Sequence, residues 1–148
     1  ARLDDHPAPR PTSKSMVDQS TSDIRIPQPL RDLIGKPLEA LSWKGMGGFR
    51  QADLSISNGT VARLMRIRGG TAMPRHTHGG LELTLVFTGG FSDENGHYLR
   101  GDVAAADPAI EHRPVADPGE ECLCLAVSET PPRLTGPLGV WLNPFLNS

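Results

Sequence analysis

Through the middle of the chain, apolar and polar positions alternate with the period of a strand rather than that of a helix. In residues 51–57, Ala52, Leu54 and Ile56 alternate with Asp53, Ser55 and Ser57, the pattern of a half-buried strand. Residues 60–68 are again strand-like, and Asn58-Gly59 between the two runs predicts a tight hairpin, because both central turn positions need positive φ. Residues 81–91 are rich in β-branched and aromatic side chains and predict a strand with a bend or bulge at Gly89-Gly90. Asp93-Glu94-Asn95-Gly96 marks a second turn, and a short run opens at Gly101-Asp102 and closes at Asp107-Pro108. Residues 112–116 predict another strand, stopped by Asp117-Pro118-Gly119, and 121–127 a further apolar one. Before the strands, Pro27, Pro29 and Pro37 bracket residues 30–34, which suit a single helical turn. After them, Pro131, Pro132 and Pro137 interrupt a tail that ends in Val140, Trp141, Leu142, Phe145 and Leu146. With no long amphipathic helix and no repeat, the expected class is an all-β sandwich or barrel.

The length of 148 residues suits one domain with a real core. Net charge is −2, and the scattered Lys and Arg form no basic stripe that argues for direct nucleic-acid binding. No apolar stretch is long enough to span a bilayer and no signal-peptide pattern opens the chain, so a soluble, cytoplasmic protein is expected. Residues 1–22 are rich in Pro, Ser, Thr and Asp without apolar period, and read as a linker or disordered tail ahead of a domain over 23–148. The chain opens on Ala1; a piece cut from a longer protein is the expectation, with Met16 as an alternative start.

The candidate chemistry lies between Arg75 and His112. On a strand, positions i and i+2 share a face, so His76 and His78 can aim two imidazoles at one point. Gly79-Gly80 lets the backbone turn before Glu82, and His112 arrives from a separate run. Three neutral imidazoles and one carboxylate suffice for one divalent first-row ion, with room for water. Taken singly, each residue has a plainer role: two solvated histidines, a turn-capping Glu82, or His112 paired on the surface with Glu111. All four together require several coincidences, and the metal reading is preferred. His97 beside the Asn95-Gly96 turn and His6 in the tail are expected to be idle.

At these residues the sequence resembles the cupins. The first cupin motif, Gly, five residues, His-x-His, three or four residues, Glu, six residues, Gly, is matched by Gly70, His76, His78, Glu82 and Gly89. The second motif places Gly eleven residues before His, as Gly101 and His112 do, but expects Pro, Gly and Asn where this chain has Asp107, Ala109 and Ala116. The proline comes one place late, as Pro108. The resemblance spans roughly residues 40–127. It implies a cupin barrel, that is, a jelly roll or double-stranded β-helix.

A narrower resemblance, from residue 73 to 127, is to the C-terminal cupin of ChrR-type anti-sigma factors. It is carried by Pro74-Arg75-His76-Thr77-His78, Glu82-Leu83-Thr84-Leu85-Val86, Phe91 to Asp93, and Arg100-Gly101-Asp102. Further matches are His112-x-Pro114-Val115-Ala116-Asp117-Pro118-Gly119-Glu120, Cys122-x-Cys124-Leu125-Ala126 and Asn143-Pro144-Phe145-Leu146. The resemblance implies a zinc-binding sensory domain needed to release an extracytoplasmic-function sigma factor under oxidative stress from singlet oxygen or organic hydroperoxides. In that family the sigma factor is held by an N-terminal domain with a His-x3-Cys-x2-Cys motif, which this chain lacks. Zinc is therefore the first expectation for the metal, with iron, manganese or nickel as alternatives.

Cys122 and Cys124 share a strand face, with Leu123, Leu125 and Val127 on the other. Core packing comes first, since free Cys behaves as a small hydrophobe. The sharper reading is a redox thiol pair, whose disulfide would be strained because i, i+2 Cα atoms lie about 6.5 Å apart. Against the regulatory reading stands a small metal-dependent enzyme (a dioxygenase, isomerase or lyase). The sequence offers it few acid–base groups: Tyr98 is the only tyrosine. Arg63, Arg66, Arg75 and Arg113 could bind an anionic substrate, although Arg on strands is more often a solvated face. Leu83, Leu85 and Phe87 alternate with Thr84 and Val86, so the strand after Glu82 is apolar on both faces, and its outer side needs cover from the N-terminal segment or from a second copy in a homodimer.

Overall fold

The computed structural model of the chain describes residues 23, 25–56 and 59–137. The expected linker at 1–22, the apolar cluster from Val140 to Leu146 and the Asn58 half of the first turn lie outside the described residues.

A seven-residue helix, α1 (Gln28–Ile34), opens the fold, longer than the single turn predicted. Pro29 lies in its first turn, where no N–H is needed, and Gly35 ends it with φ 66° while its N–H bonds Arg31 O. A 3-10 turn at Leu38–Ala40 follows. The strands are β1 (Phe49–Leu54), β2 (Val61–Ile67), β3 (His76–Thr77), β4 (Glu82–Thr88), β5 (Gly90–Asp93), β6 (Gly96–Leu99), β7 (Val103–Ala106), β8 (Val115–Ala116), β9 (Cys122–Ser128) and β10 (Arg133–Leu134). They form a five-stranded sheet in the order β1-β2-β9-β4-β7, a three-stranded sheet β6-β5-β8, and the pair β10-β3. All the described pairings are antiparallel.

The observed boundaries differ from the predicted ones for local reasons. β1 ends at Leu54, and Ile56 is exposed. Leu54 pairs with Ala62 across the hairpin, and Gly59 has the positive φ of 73° expected of it. The run 81–91 is two strands in two sheets. The break is at Gly89, whose φ of 61° suits glycine and where a Cβ would lie 2.8 Å from Glu121 O. The register of β4 against β9 shifts between Val86 and Thr88, as a bulge requires. Residues 112–116 reduce to a single bridge at His112 and the two-residue β8. Pro114 between them has no N–H to donate.

Two apolar clusters flank the large sheet. Inside, Ile67, Val86, Phe91, Ala104, Ala116, Cys122 and Cys124 pack together. On the outer face, Leu64, Phe87 and Leu123 are covered by Ile26, Leu30 and Leu38. The N-terminal segment is thus the cover that the two-faced β4 needs, and each such side chain withdrawn from water contributes about 1.5–3 kcal/mol. The cover is partial: Leu83 and Val103 remain 42% and 54% exposed. Among the described residues, no helix is long and apolar enough to cross a membrane.

Candidate metal centre

His76 on β3 and His112 face each other across an antiparallel bridge, each backbone N–H bonding the other's carbonyl at 3.1 Å. Directly opposed residues project to one side of the ladder, and here the two rings meet with Nε2 atoms 3.0 Å apart. His78, two residues after His76, brings its Nε2 to 3.0 Å from the same His112 nitrogen. The chain then turns at Gly79-Gly80, where added Cβ atoms would lie 2.6 Å from Thr130 Oγ1 and 2.4 Å from Glu129 Oε2. The Leu81 N–H is fixed by Glu129 Oε2. Glu82 opens β4 between two small neighbours, Ala106 on β7 and Ser128 on β9. One ligand atom from each of His76, His78, Glu82 and His112 lies within 4.8 Å of the others.

Hydrogen bonds on the far side of two rings fix their tautomers. His76 Nδ1–H donates to Pro74 O at 2.9 Å, and His112 Nδ1–H donates to Asp93 Oδ2 at 2.8 Å. In the neutral rings both Nε2 atoms are then lone pairs, held 3.0 Å apart with no proton between them. His78 Nδ1 is buried without a hydrogen-bond partner, Glu82 Oε2 being 3.4 Å away. Protonation of His76 or His78 is disfavoured. Burial lowers the His76 pKa, and burial together with His76 and His112 lowers that of His78 to about 4. Burial also raises the Glu82 carboxyl to about 7, with Arg63 pulling the other way. Converging lone pairs, an unpartnered ring nitrogen and a buried carboxyl are what a cation relieves, so the donor set fits a divalent metal.

Asp93 is the residue whose part here was not read from sequence. Its Oδ1 accepts the Asn95 and Gly96 N–H groups of the turn, the ordinary role of Asp at such a place. Its Oδ2 reaches inward to His112, and the side chain is only 3% exposed. The signal was the period of two, which turns Asp93 to the side of buried Phe91. His97 stands apart, exposed, with Nε2 2.6 Å from Asp117 Oδ2; His6 lies outside the described residues.

A cavity of about 60 Å³ adjoins three of the four side chains, His76, Glu82 and His112, which stand in its wall. Arg63 and Cys124 also line it. Of the four arginines singled out above, Arg66 bonds Glu121 and Arg75 bonds Glu94, and only Arg63 belongs to this wall. Cys122 and Cys124 are free thiols buried in the inner core. Their mutual hydrogen bond lowers the pKa of Cys122 and, with burial, raises that of Cys124.

A family model for the ChrR cupin-like domain matches residues 38–130, which include all four converging side chains. The chain belongs to the ChrR cupin-like domain family. It is 45% identical over 125 residues to the anti-sigma-E factor ChrR of Cereibacter sphaeroides, covering 84% of this chain and 59% of that relative. The chain thus spans well under two thirds of this ChrR's length. Among solved structures it is similar to ChrR in the complex of Rhodobacter sphaeroides SigE with the anti-sigma ChrR. That match has a TM-score of 0.68 at 44% identity, over 82% of this chain and 69% of that one. A cupin from Ralstonia eutropha matches with a TM-score of 0.59 at 15% identity, over 69% of this chain and 71% of its own. An acetylacetone dioxygenase from Acinetobacter johnsonii matches with a TM-score of 0.54 at 14% identity, over 64% and 68%. The last two share the fold alone with this ChrR cupin-like domain.

Proposed function

We propose that this chain is the metal-binding regulatory domain of a ChrR-like anti-sigma factor acting in the cytoplasm. In this reading His76, His78, Glu82 and His112 hold one zinc ion, and the domain promotes release of an extracytoplasmic-function sigma factor during oxidative stress. The observation that carries it is the convergence of these four side chains within 4.8 Å in a chain 45% identical to an anti-sigma-E factor. Zinc accepts N/O ligands in tetrahedral geometry without redox chemistry of its own. Bound there, it would supply a fixed charge and a crosslink among β3, β4 and the His112 bridge. The chain's own residues do the rest: Asp93 and Pro74 orient two rings, and Gly79-Gly80 brings Glu82 back toward His78. Loss of the metal would free β3 from β4, a local event that can reach a tethered partner domain.

The test is a chimera in which residues 38–130 replace the matching part of the Cereibacter ChrR. The expected result is sigma-dependent transcription that rises under singlet oxygen, and a rise abolished by His76→Ala with sigma binding intact in the dark. An equal response from the His76→Ala chimera would overturn the proposal.

One observation favours a second reading. The cavity beside the four residues leaves space for a small molecule next to a metal, as a metal-dependent cupin enzyme requires. Against it, the carboxylate of Asp93 is already engaged by His112 and the turn. Six-coordinate iron, manganese or nickel in the purified protein would move the balance toward catalysis.

A further inference from the structure

The cavity has a charged wall as well as a metal-binding one. Arg63 lies on the inner face of β2, between Asp53 on β1 and Ala126 on β9, and its side chain is only 13% exposed. Its Nε donates to Asp53 Oδ1 at 3.1 Å. Asp53 is half-exposed and lies 3.8 Å from Lys44 as well, and a surface carboxylate shared in this way offsets little of a guanidinium's charge. Between Arg63 and Glu82 the wall is built from small side chains, Ala126, Ser128 and Ala106. They leave the space open. Met65, Met73 and Phe91 supply an apolar wall. The space is about 60 Å³, and a water needs about 10–15 Å³ of such volume. It therefore holds about four to six waters, or a molecule of about six non-hydrogen atoms.

We propose that this cavity binds a short-chain organic carboxylate, its anionic end between Arg63 and the metal and its alkyl body against Met65, Met73 and Phe91. The proposal rests on the metal reading in one respect. A divalent ion held by one carboxylate and three neutral imidazoles keeps one net positive charge, which adds to that of Arg63; Asp93 in the same wall offsets one charge, but its oxygens are taken up by His112 and the turn. A recessed wall carrying both favours an anion over a neutral or cationic molecule of equal size. A carboxylate also matches the planar guanidinium fork.

The test is titration of the metal-loaded chain with acetate, propionate and butyrate, and with butyramide as the neutral counterpart, followed by calorimetry and by NMR of the methionine methyl groups. Metal content is measured in the same samples. The expected result is binding of butyrate about tenfold or more tighter than butyramide, with shifts at Met65 and Met73. Arg63→Met is expected to weaken butyrate about tenfold or more while leaving butyramide unchanged, and Arg63→Lys to restore part of the loss. If Arg63→Met does not fold, the methyl shifts of the native chain still decide. A chain that carries metal but binds none of the carboxylates overturns this inference alone. So does butyrate binding that is indifferent to Arg63, or that leaves Met65 and Met73 unshifted. A chain that takes up no metal overturns the metal reading instead.

Discussion

Asp93 Oδ2 accepts a 2.8 Å hydrogen bond from His112 Nδ1, and both side chains are almost wholly withdrawn from solvent. The bond holds the imidazole in the tautomer whose Nε2 lone pair faces His76 and His78. Outer hydrogen bonds of this kind typically carry one to two orders of magnitude in metal affinity. Asp93→Ala is therefore expected to weaken metal binding about 10- to 100-fold, and Asp93→Asn to retain more, since its amide oxygen can still accept. Competition with a chromogenic chelator reads both. Unchanged affinity in Asp93→Ala would remove Asp93 from the site.

Glu82 gives a prediction of opposite sign with and without metal. Burial raises its carboxyl from 4.5 to about 7. Between those values the folded metal-free chain keeps a proton that the unfolded chain has lost, so this group's contribution to stability falls as pH rises through that window. Glu82→Gln removes the penalty. At about pH 8 the metal-free variant is expected to be more stable than the native chain by about 1–3 kcal/mol, while the metal-replete comparison reverses. Urea denaturation with and without chelator checks both arms.

The same carboxyl links binding to pH. His78 is neutral above about 4, and Glu82 is protonated below about 7 in the metal-free fold. Metal ligands must be deprotonated. Binding is expected to release more protons near pH 6 than near pH 8, with Glu82 contributing up to one of them. Calorimetry in buffers of different ionisation enthalpy counts them. Glu82→Gln should lower the release at the lower pH.

Much of this was legible in the sequence, and the rest was hidden for physical reasons. His76, His78, Glu82 and His112 could be read because strand periodicity and the paired glycines leave their side chains few other directions. Asp93 was hidden because an Asp at a turn has a sufficient local reason to be there, and its Oδ1 does serve the turn. Arg63 could not be told from Arg66 by pattern. The two lie three residues apart on β2, so they point to opposite faces, and only the register decides which face is inside. The break at Gly89 was visible as a bend, but not that the chain changes sheets there. The cover over Phe87 and Leu123 comes from Ile26, Leu30 and Leu38, which prolines interrupt too often to show a period.

The most direct measurement is anomalous diffraction at the zinc edge on crystals of the zinc-loaded chain. The expected result is one peak with His76, His78 and His112 nitrogens and a Glu82 oxygen at about 2.0–2.2 Å, and loss of that peak in His112→Ala. A zinc peak elsewhere, or four side chains diverging around solvent in protein that holds a full equivalent of metal, would contradict it.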